Sequence, residues 1–228
     1  MSRAENRLEI TRAIQETARR QLAEVGPAAL SLRAIAREVG MVSSAVYRYF
    51  PSRDDLLTAL IVEAYDELGA AVEAADGGVR RRGDLAKRFS AVCHAVHDWA
   101  RAHPHEYALI YGSPVPGYAA PDTTIPSAAR VPGTLLRIAE ESELAGRALG
   151  APTRAVAAAE HRALGGVRPA LDLAMSDDRL VRWMMAWATL FGHVSLELFG
   201  HMYRGVLDYD THFTHVVTQL ADDLGLSG

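Results

Sequence analysis

The sequence predicts an all-α fold, an N-terminal three-helix bundle holding a helix-turn-helix and then a larger helical domain. Three observations lead there. Apolar residues recur at helical spacing along most of the chain, and no run alternates apolar and polar as a half-buried strand would. Glycine and proline fall where those helical stretches would stop. Ser31 to Phe50 reads as two short helices joined by a glycine-containing turn.

Leu8, Ile14, Ala18, Leu22 and Val25 give the first helix, stopped at Gly26-Pro27. Ser31 caps a second with Leu32, Ile35, Ala36 and Val39 on one stripe, and Gly40 ends it. The stretch GMVSSAVYRYF, Gly40 to Phe50, supplies a third, closed before Pro51. Ser52 and Asp55 have capping-box spacing and open a long fourth helix through Leu56, Leu60, Ala64, Leu68 and Val72, which breaks at Asp76-Gly77-Gly78.

Asp84 to His103 is the next helix, with Leu85, Phe89, Val92, Val96 and Trp99 on a stripe, and a shorter one runs from Pro104 to Tyr111. Ser113 to Pro132 holds five prolines in twenty residues and no helical period, so it reads as a long loop. Helices are expected over Thr153 to Ala174, with a kink at Pro169, over Asp178 to Met202, and near Thr211 to Leu224. The expected domains are 1–52 and 53–228.

At 228 residues and 49% hydrophobic, the chain is long enough for a substantial core. Its single cysteine, Cys93, excludes an internal disulfide and fits a reducing cytoplasm. The opening MSRAENRLEI does not read as a secretory signal. The most apolar run, Trp183 to Leu196, is 14 residues long, whereas a membrane span needs about 20. A cytoplasmic protein with no membrane partner is expected. Net charge is −4, but residues 1–53 hold nine Arg against five acids while the remainder holds 15 basic against 23 acidic residues. One end is therefore suited to a polyanion.

No constellation for catalysis emerges. No phosphate-binding glycine loop, HExxH or GxSxG occurs. Cys93, His94, His97 and Asp98 have near-ligand spacing, but the histidines lie off the apolar stripe and read as solvated. No enzyme activity, cofactor or metal is expected. Arg80-Arg81-Arg82 reads as an exposed loop within reach of DNA at most.

The third helix carries the functional signal. Val46 and Phe50 would pack inward on Ile35 and Val39, leaving Ser43, Ser44, Ala45, Tyr47, Arg48 and Tyr49 outside. Small residues at its start let the backbone approach base edges, where the serine hydroxyls and the Ala45 methyl have partners. Arg48 suits a guanine or a phosphate, and Tyr47 and Tyr49 suit phosphates at the groove rim. Ser31 and Arg33, at a helix N-terminus, suit backbone phosphate. Spacing alone leaves two readings open, a DNA-binding helix pair and an all-α ligand-binding or interaction module without specific DNA binding.

The stretch SLRAIAREVGMVSSAVYRYFPSRDDLL, Ser31 to Leu57, resembles the DNA-binding module of the tetracycline-repressor (TetR) family. That resemblance implies backbone contacts from Ser31 and Arg33, base contacts from Ser43, Ser44, Ala45 and Arg48, mixed contacts from Tyr47 and Tyr49, and a phosphate on Arg53. Val42 stands where many relatives carry Ser or Thr, so Ser43 is expected to take over the cap. HPHEYALIYGSPVPGYAAPDTT, His103 to Thr124, resembles the WHG-type C-terminal domain of a subgroup common in actinobacteria.

Trp183 to Leu196 has no charged side chain, so a partner is the natural cover for one of its sides. A homodimer through the helices around 153–174 and 178–202 is expected, with Gly165-Gly166 and Gly192 allowing close approach. Two recognition helices would then meet a palindromic operator. Trp99, His103, Tyr107 and Tyr111, with Met184 and Trp187 opposite, are the candidate lining of a cavity for a small, largely apolar effector. The family's usual sign is repression.

Overall fold

A computed structural model of the chain describes residues 2–150, 154–166, 171 and 173–227. Among the described residues the regular structure is helical throughout, as expected, and no helix is long and apolar enough to cross a membrane. The α-helices are α1 (Arg3–Val25), α2 (Leu32–Glu38), α3 (Ser43–Val46), α4 (Arg53–Gly78), α5 (Leu85–Ala102) and α6 (Pro104–Tyr111). They continue with α7 (Ile125–Ala128), α8 (Arg130–Leu144), α9 (Ala158–Leu164), α10 (Asp177–Leu198) and α11 (Tyr209–Asp223). The chain forms two compact units, Met1–Glu67 with His103–Ala128, and Leu68–Ala102 with Ala129–Gly228.

The first unit is built on the stripes read from the sequence. Ile14, Ala18 and Leu22 of α1, Ile35 and Ala36 of α2, Val46 of α3 and Leu56, Leu57 and Leu60 of α4 share one core. Leu8 and Val25, assigned to the α1 stripe, are instead 61% and 54% exposed, because the ends of α1 run past that core. Ser31 Oγ accepts from the Ala34 amide and starts α2. At its end the Met41 amide donates to the Ala36 carbonyl and the Gly40 amide to Arg37, a Schellman stop. Gly40 has φ +70°, and a Cβ there would meet nothing within 4 Å, so the backbone conformation alone asks for glycine.

The core also takes in Leu109 and Val115, from α6 and the segment after it. The Tyr118 and Thr58 hydroxyls are 2.9 Å apart, and the Tyr65 hydroxyl donates to the Ile110 carbonyl. The proline-rich stretch is therefore no featureless loop. It contains a 3-10 turn at Asp122–Thr124 and α7, and its last residues already belong to α8.

In the second unit α5 packs on α8, α10 and α11. Its predicted stripe, Leu85, Phe89, Val92, Val96 and Trp99, is buried. Helix α8 has no counterpart among the helices read from the sequence, because Pro132 and Gly133 conceal it. Pro132 is the third helical residue, where a missing N–H costs nothing because first-turn amides have no partner within the helix. Of the long helix expected over 153–174, the described residues show the short α9, which gives way at Gly165-Gly166, and a helical Leu171. Two glycines in a helix interior each cost about 1 kcal/mol relative to alanine, and here they follow the end of α9. Pro169 lies outside the described residues. Helix α10 stops at Leu198, short of Met202, because Gly200 adopts φ +78° and closes another Schellman turn with the His201 amide on Leu196.

A buried ion network ties α4, α5 and α8 together. Arg88, 3% exposed, donates from Nε to Asp76 Oδ1 at 2.7 Å and also pairs with Glu141. The basic run at 80–82 is an exposed loop, as expected, and Arg82 from it reaches the other Asp76 oxygen at 2.7 Å. Burial pushes the Asp76 carboxyl up, but the bonds from Arg88 and Arg82 outweigh it and hold it below the ordinary aspartate range. The folded state thus binds fewer protons than the unfolded chain near the ordinary value of about 3.9, and its stability falls as pH drops through that region. Between about pH 5 and pH 3 the wild type is expected to lose more stability in urea melts than Asp76→Asn, which carries no proton-linked charge there. Equal losses would mean that Asp76 does not contribute.

Candidate nucleic-acid interface

Helix α3 is short. After Ser43–Val46 the chain continues in tight turns, with the Arg48 amide on the Ala45 carbonyl and the Tyr49 amide on Val46. Pro51 forbids a longer run. Val46 and Phe50 are buried at 0% and 7%, as their spacing predicts. On the other side Ser44, Tyr47 and Arg48 are exposed, and Ser43, Ala45 and Tyr49 are half-buried. All six lie within one stretch of backbone anchored by two core side chains. The N-cap of α3 is Val42, with no side-chain cap bond, so Ser43 does not take over the capping role. Its hydroxyl has no such duty in the chain.

Ser31 and Arg33 flank the start of α2, where Ser31 Oγ is occupied by the Ala34 amide and Arg33 is exposed. Arg53 is more constrained. Its Nη2 donates to the Pro27 and Ala28 carbonyls at 2.7 and 3.3 Å, and Nη1 lies 3.4 Å from Asp54 Oδ1. It laces the α1–α2 connection to the start of α4, a bracing role the sequence did not suggest. There Ser52 Oγ accepts from the Asp55 amide and donates to the Asp55 carboxylate, fixing the first turn.

The candidate effector residues fall in both units. His103 is the residue before α6, half-buried, without a side-chain cap bond. Tyr107 is fully buried, and its ring lies 5.3 Å from that of Tyr111, which in turn meets Tyr65 edge-on at 5.9 Å. Burial pushes the Tyr111 phenol well above the ordinary tyrosine range. In the other unit Trp99 is buried, Trp187 stacks between Trp183 and Phe191 at 5.8 and 4.3 Å, and Met184 is 45% exposed. A cavity of about 590 Å³ in that unit is lined by Arg154, Val156, Val181, Arg182, Met185 and Leu220 among others, none of which the sequence singled out.

The Cys93 to Asp98 motif resolves differently from expectation. His97 is 2% exposed rather than solvated, since α5 turns it on to α10 and α11. Its Nε2 lies 2.8 Å from Glu197 Oε2, and its ring stacks on Phe213 at 4.2 Å. His94 bonds to the Ser90 carbonyl and Thr214, and Cys93 is buried, its thiol pushed up by that burial. The spacing that looked like ligands is the spacing of side chains joining three helices.

Comparison with known proteins agrees with this geometry. A family model described as bacterial regulatory proteins, tetR family, matches residues 14–60, and one described as tetracyclin repressor-like, C-terminal domain, matches residues 89–220. The HTH-type transcriptional regulators Mb1846 of Mycobacterium bovis and Rv1816 of Mycobacterium tuberculosis are each 41% identical over 221 residues, covering 87% of this chain and 84% of the relative. Among solved structures the regulatory protein SCO4313 superposes with a TM-score of 0.79 at 31% identity, over 96% of this chain and 98% of that one. A protein of unknown function from Rhodococcus sp. RHA1 gives 0.66 at 26%, over 94% and 92%. The chain belongs to the tetR family of bacterial regulatory proteins and is a ligand-responsive, DNA-binding transcriptional regulator.

Proposed function

We propose that this protein is a cytoplasmic repressor, without enzyme activity, that binds a palindromic operator as a homodimer and releases it when a small, largely apolar molecule binds. The observation that carries the reading is the division of the stretch from Ser43 to Phe50, with Val46 and Phe50 inside and Ser44, Tyr47 and Arg48 outside. Two serines and an arginine on one turn are costly inside a core and useful in a major groove. Ser31 and Arg33 take the backbone, Ser43, Ser44, Ala45 and Arg48 the base edges, Tyr47 and Tyr49 the rim.

Dimerisation runs through α10, with α9 beside it. Met184, Met185, Ala188, Thr189, Gly192 and Leu196 are exposed on α10, and not one of them is charged. A two-fold axis through that face doubles the reading head, with half-sites about 34–36 Å apart. The effector is drawn to an aromatic wall, for which Tyr107 and Tyr111 are the candidates in one unit and Trp99 and Trp187 those in the other. It can displace DNA only by its differential affinity for the DNA-free state.

The test is selection of bound duplexes from a random library, with sedimentation in parallel. Met185→Glu with Leu196→Glu sets like charges against each other across the proposed axis, an arrangement that costs several kcal/mol. The double variant is expected to sediment as a monomer and to lose retardation of the selected duplex. A dimer of unchanged affinity would reject the α10 interface, and failure of the wild type to enrich any sequence would reject the operator reading.

A further inference from the structure

We propose that the DNA-binding surface extends beyond the helix-turn-helix on to the first two turns of α1, where Arg7 and Arg3 take backbone phosphates and Arg7 is held ready on the ring of Tyr49. The proposal rests on the operator reading above and adds to its footprint.

The arginines of residues 1–53 separate into two groups. Arg19 pairs with Glu63 and Glu67, Arg20 with Glu38, and Arg53 with Asp54 and two carbonyls. Those three hold the unit together. Arg3, Arg7, Arg12, Arg33, Arg37 and Arg48 make no ion pair among the described residues. Arg33 and Arg48 already belong to the proposed reading surface.

The α1 helix sorts its own charges by face. Its packed stripe runs through Ile10, Ile14 and Ala18. Continued toward the N-terminus by steps of three or four residues, that stripe carries Arg7 and then Arg3. Glu5, Glu9 and Glu16 lie about half a turn away, with Arg12 among them. The stripe that is apolar where it meets the core therefore becomes cationic where α1 runs past it.

What Arg7 meets there is Tyr49. Its guanidinium carbon lies 5.2 Å from the ring centroid. Tyr49 is itself fixed, with its amide bonded to Val46 at 2.9 Å and its ring packed partly against the core. A guanidinium laid over an aromatic face is located without using its N–H donors, which remain at the edge for an outside acceptor. Among the described residues no carboxylate claims them, and Arg7 is exposed. A cation fixed in place, with its donors unspent and beside the residues that read bases, is suited to a phosphate, an anion present whatever the sequence.

The salt dependence of binding tests this. The probe is the tightest duplex recovered from the random library, titrated with the full chain over a series of salt concentrations. Arg7→Ala is expected to lower the slope of log affinity against log salt by about 0.9 for each phosphate no longer neutralised, hence by roughly 1.8 for a dimer. Arg7→Lys keeps the charge and should keep the slope, and Arg12→Ala, on the opposite face, should change nothing. Melting curves of the variants establish that each is folded. A slope unchanged in Arg7→Ala, while Arg48→Ala still weakens binding, overturns the α1 contact and leaves the operator reading standing. Reduced affinity at unchanged slope also overturns it, since Arg7 would then only prop Tyr49. If Arg48→Ala too is without effect, the operator reading itself fails.

Discussion

Arg179→Met is expected to lower the unfolding free energy by about 3–5 kcal/mol, the range for removing one partner from a buried ionic cluster. Arg179 is 2% exposed. Its guanidinium donates to Glu143 Oε2 at 2.5 Å, to Ser142 Oγ at 3.0 Å, and to the Leu224 and Arg147 carbonyls at 2.5 Å each. These acceptors come from the ends of α8 and α11 and the turn after α8, where helices leave carbonyls without partners. A cation there also meets the negative ends of two helix dipoles. Beside it Gly225, with φ +68°, lets the chain pass so close to Ala148 that a Cβ would lie 2.0 Å from the carbonyl oxygen. Methionine fills much of the volume but leaves the Leu224 and Arg147 carbonyls without their donor and Glu143 with only the Ser176 hydroxyl. Arg179→Lys should recover only part of the loss, because one ammonium cannot span the positions a planar fork reaches. Urea unfolding of the three proteins provides the measurement, and a loss below about 1 kcal/mol for methionine would show that solvent replaces the network.

Arg48→Ala and Tyr47→Ala are each expected to weaken binding to the selected duplex by about 1–3 kcal/mol per contact, without altering the melting curve. Both side chains are exposed, Tyr47 at 42%, so neither holds the fold. Since a dimer carries each residue twice, the loss can approach double that range. The two should differ in kind. If Arg48 reads a guanine, its removal relaxes preference at one position in each half-site. Loss of Tyr47 at the groove rim should instead weaken good and poor sites more nearly alike. Retardation assays across a panel of single-base variants separate these outcomes.

Much of the fold was legible because helical spacing and stop signals agreed. Ile14, Ala18, Ile35, Val46, Leu56 and Leu60 are all buried where their periodicity put them. The inward and outward faces of α3 could be read the same way. What escaped reading was of another sort. Helix α8 lay behind Pro132 and Gly133, and with it went Glu141, Ser142 and Glu143, the acceptors for Arg88 and Arg179. Nothing local in a sequence marks an arginine as buried, because the carboxylate that permits it is tens of residues away. The same holds for His97, whose partner Glu197 is 100 residues on. The insertion of Leu109 and Val115 into the core of the first unit was equally hidden, since short apolar pairs between prolines carry no period. In the reading surface, spacing found Ser44, Tyr47 and Arg48, but it showed neither that Arg53 is spent on carbonyls nor that Arg7 stands over Tyr49.

The symmetry of the DNA sites that the full chain selects from random duplexes decides whether α3 works as one half of a two-fold reading head. An exposed α3 doubled across α10 should enrich a palindrome whose half-site centres lie about one helical turn apart, bound by two chains, with Arg48→Ala erasing preference at matching positions in both halves. Enrichment of an asymmetric site bound by one chain, or a preference that survives Arg48→Ala intact, would contradict it.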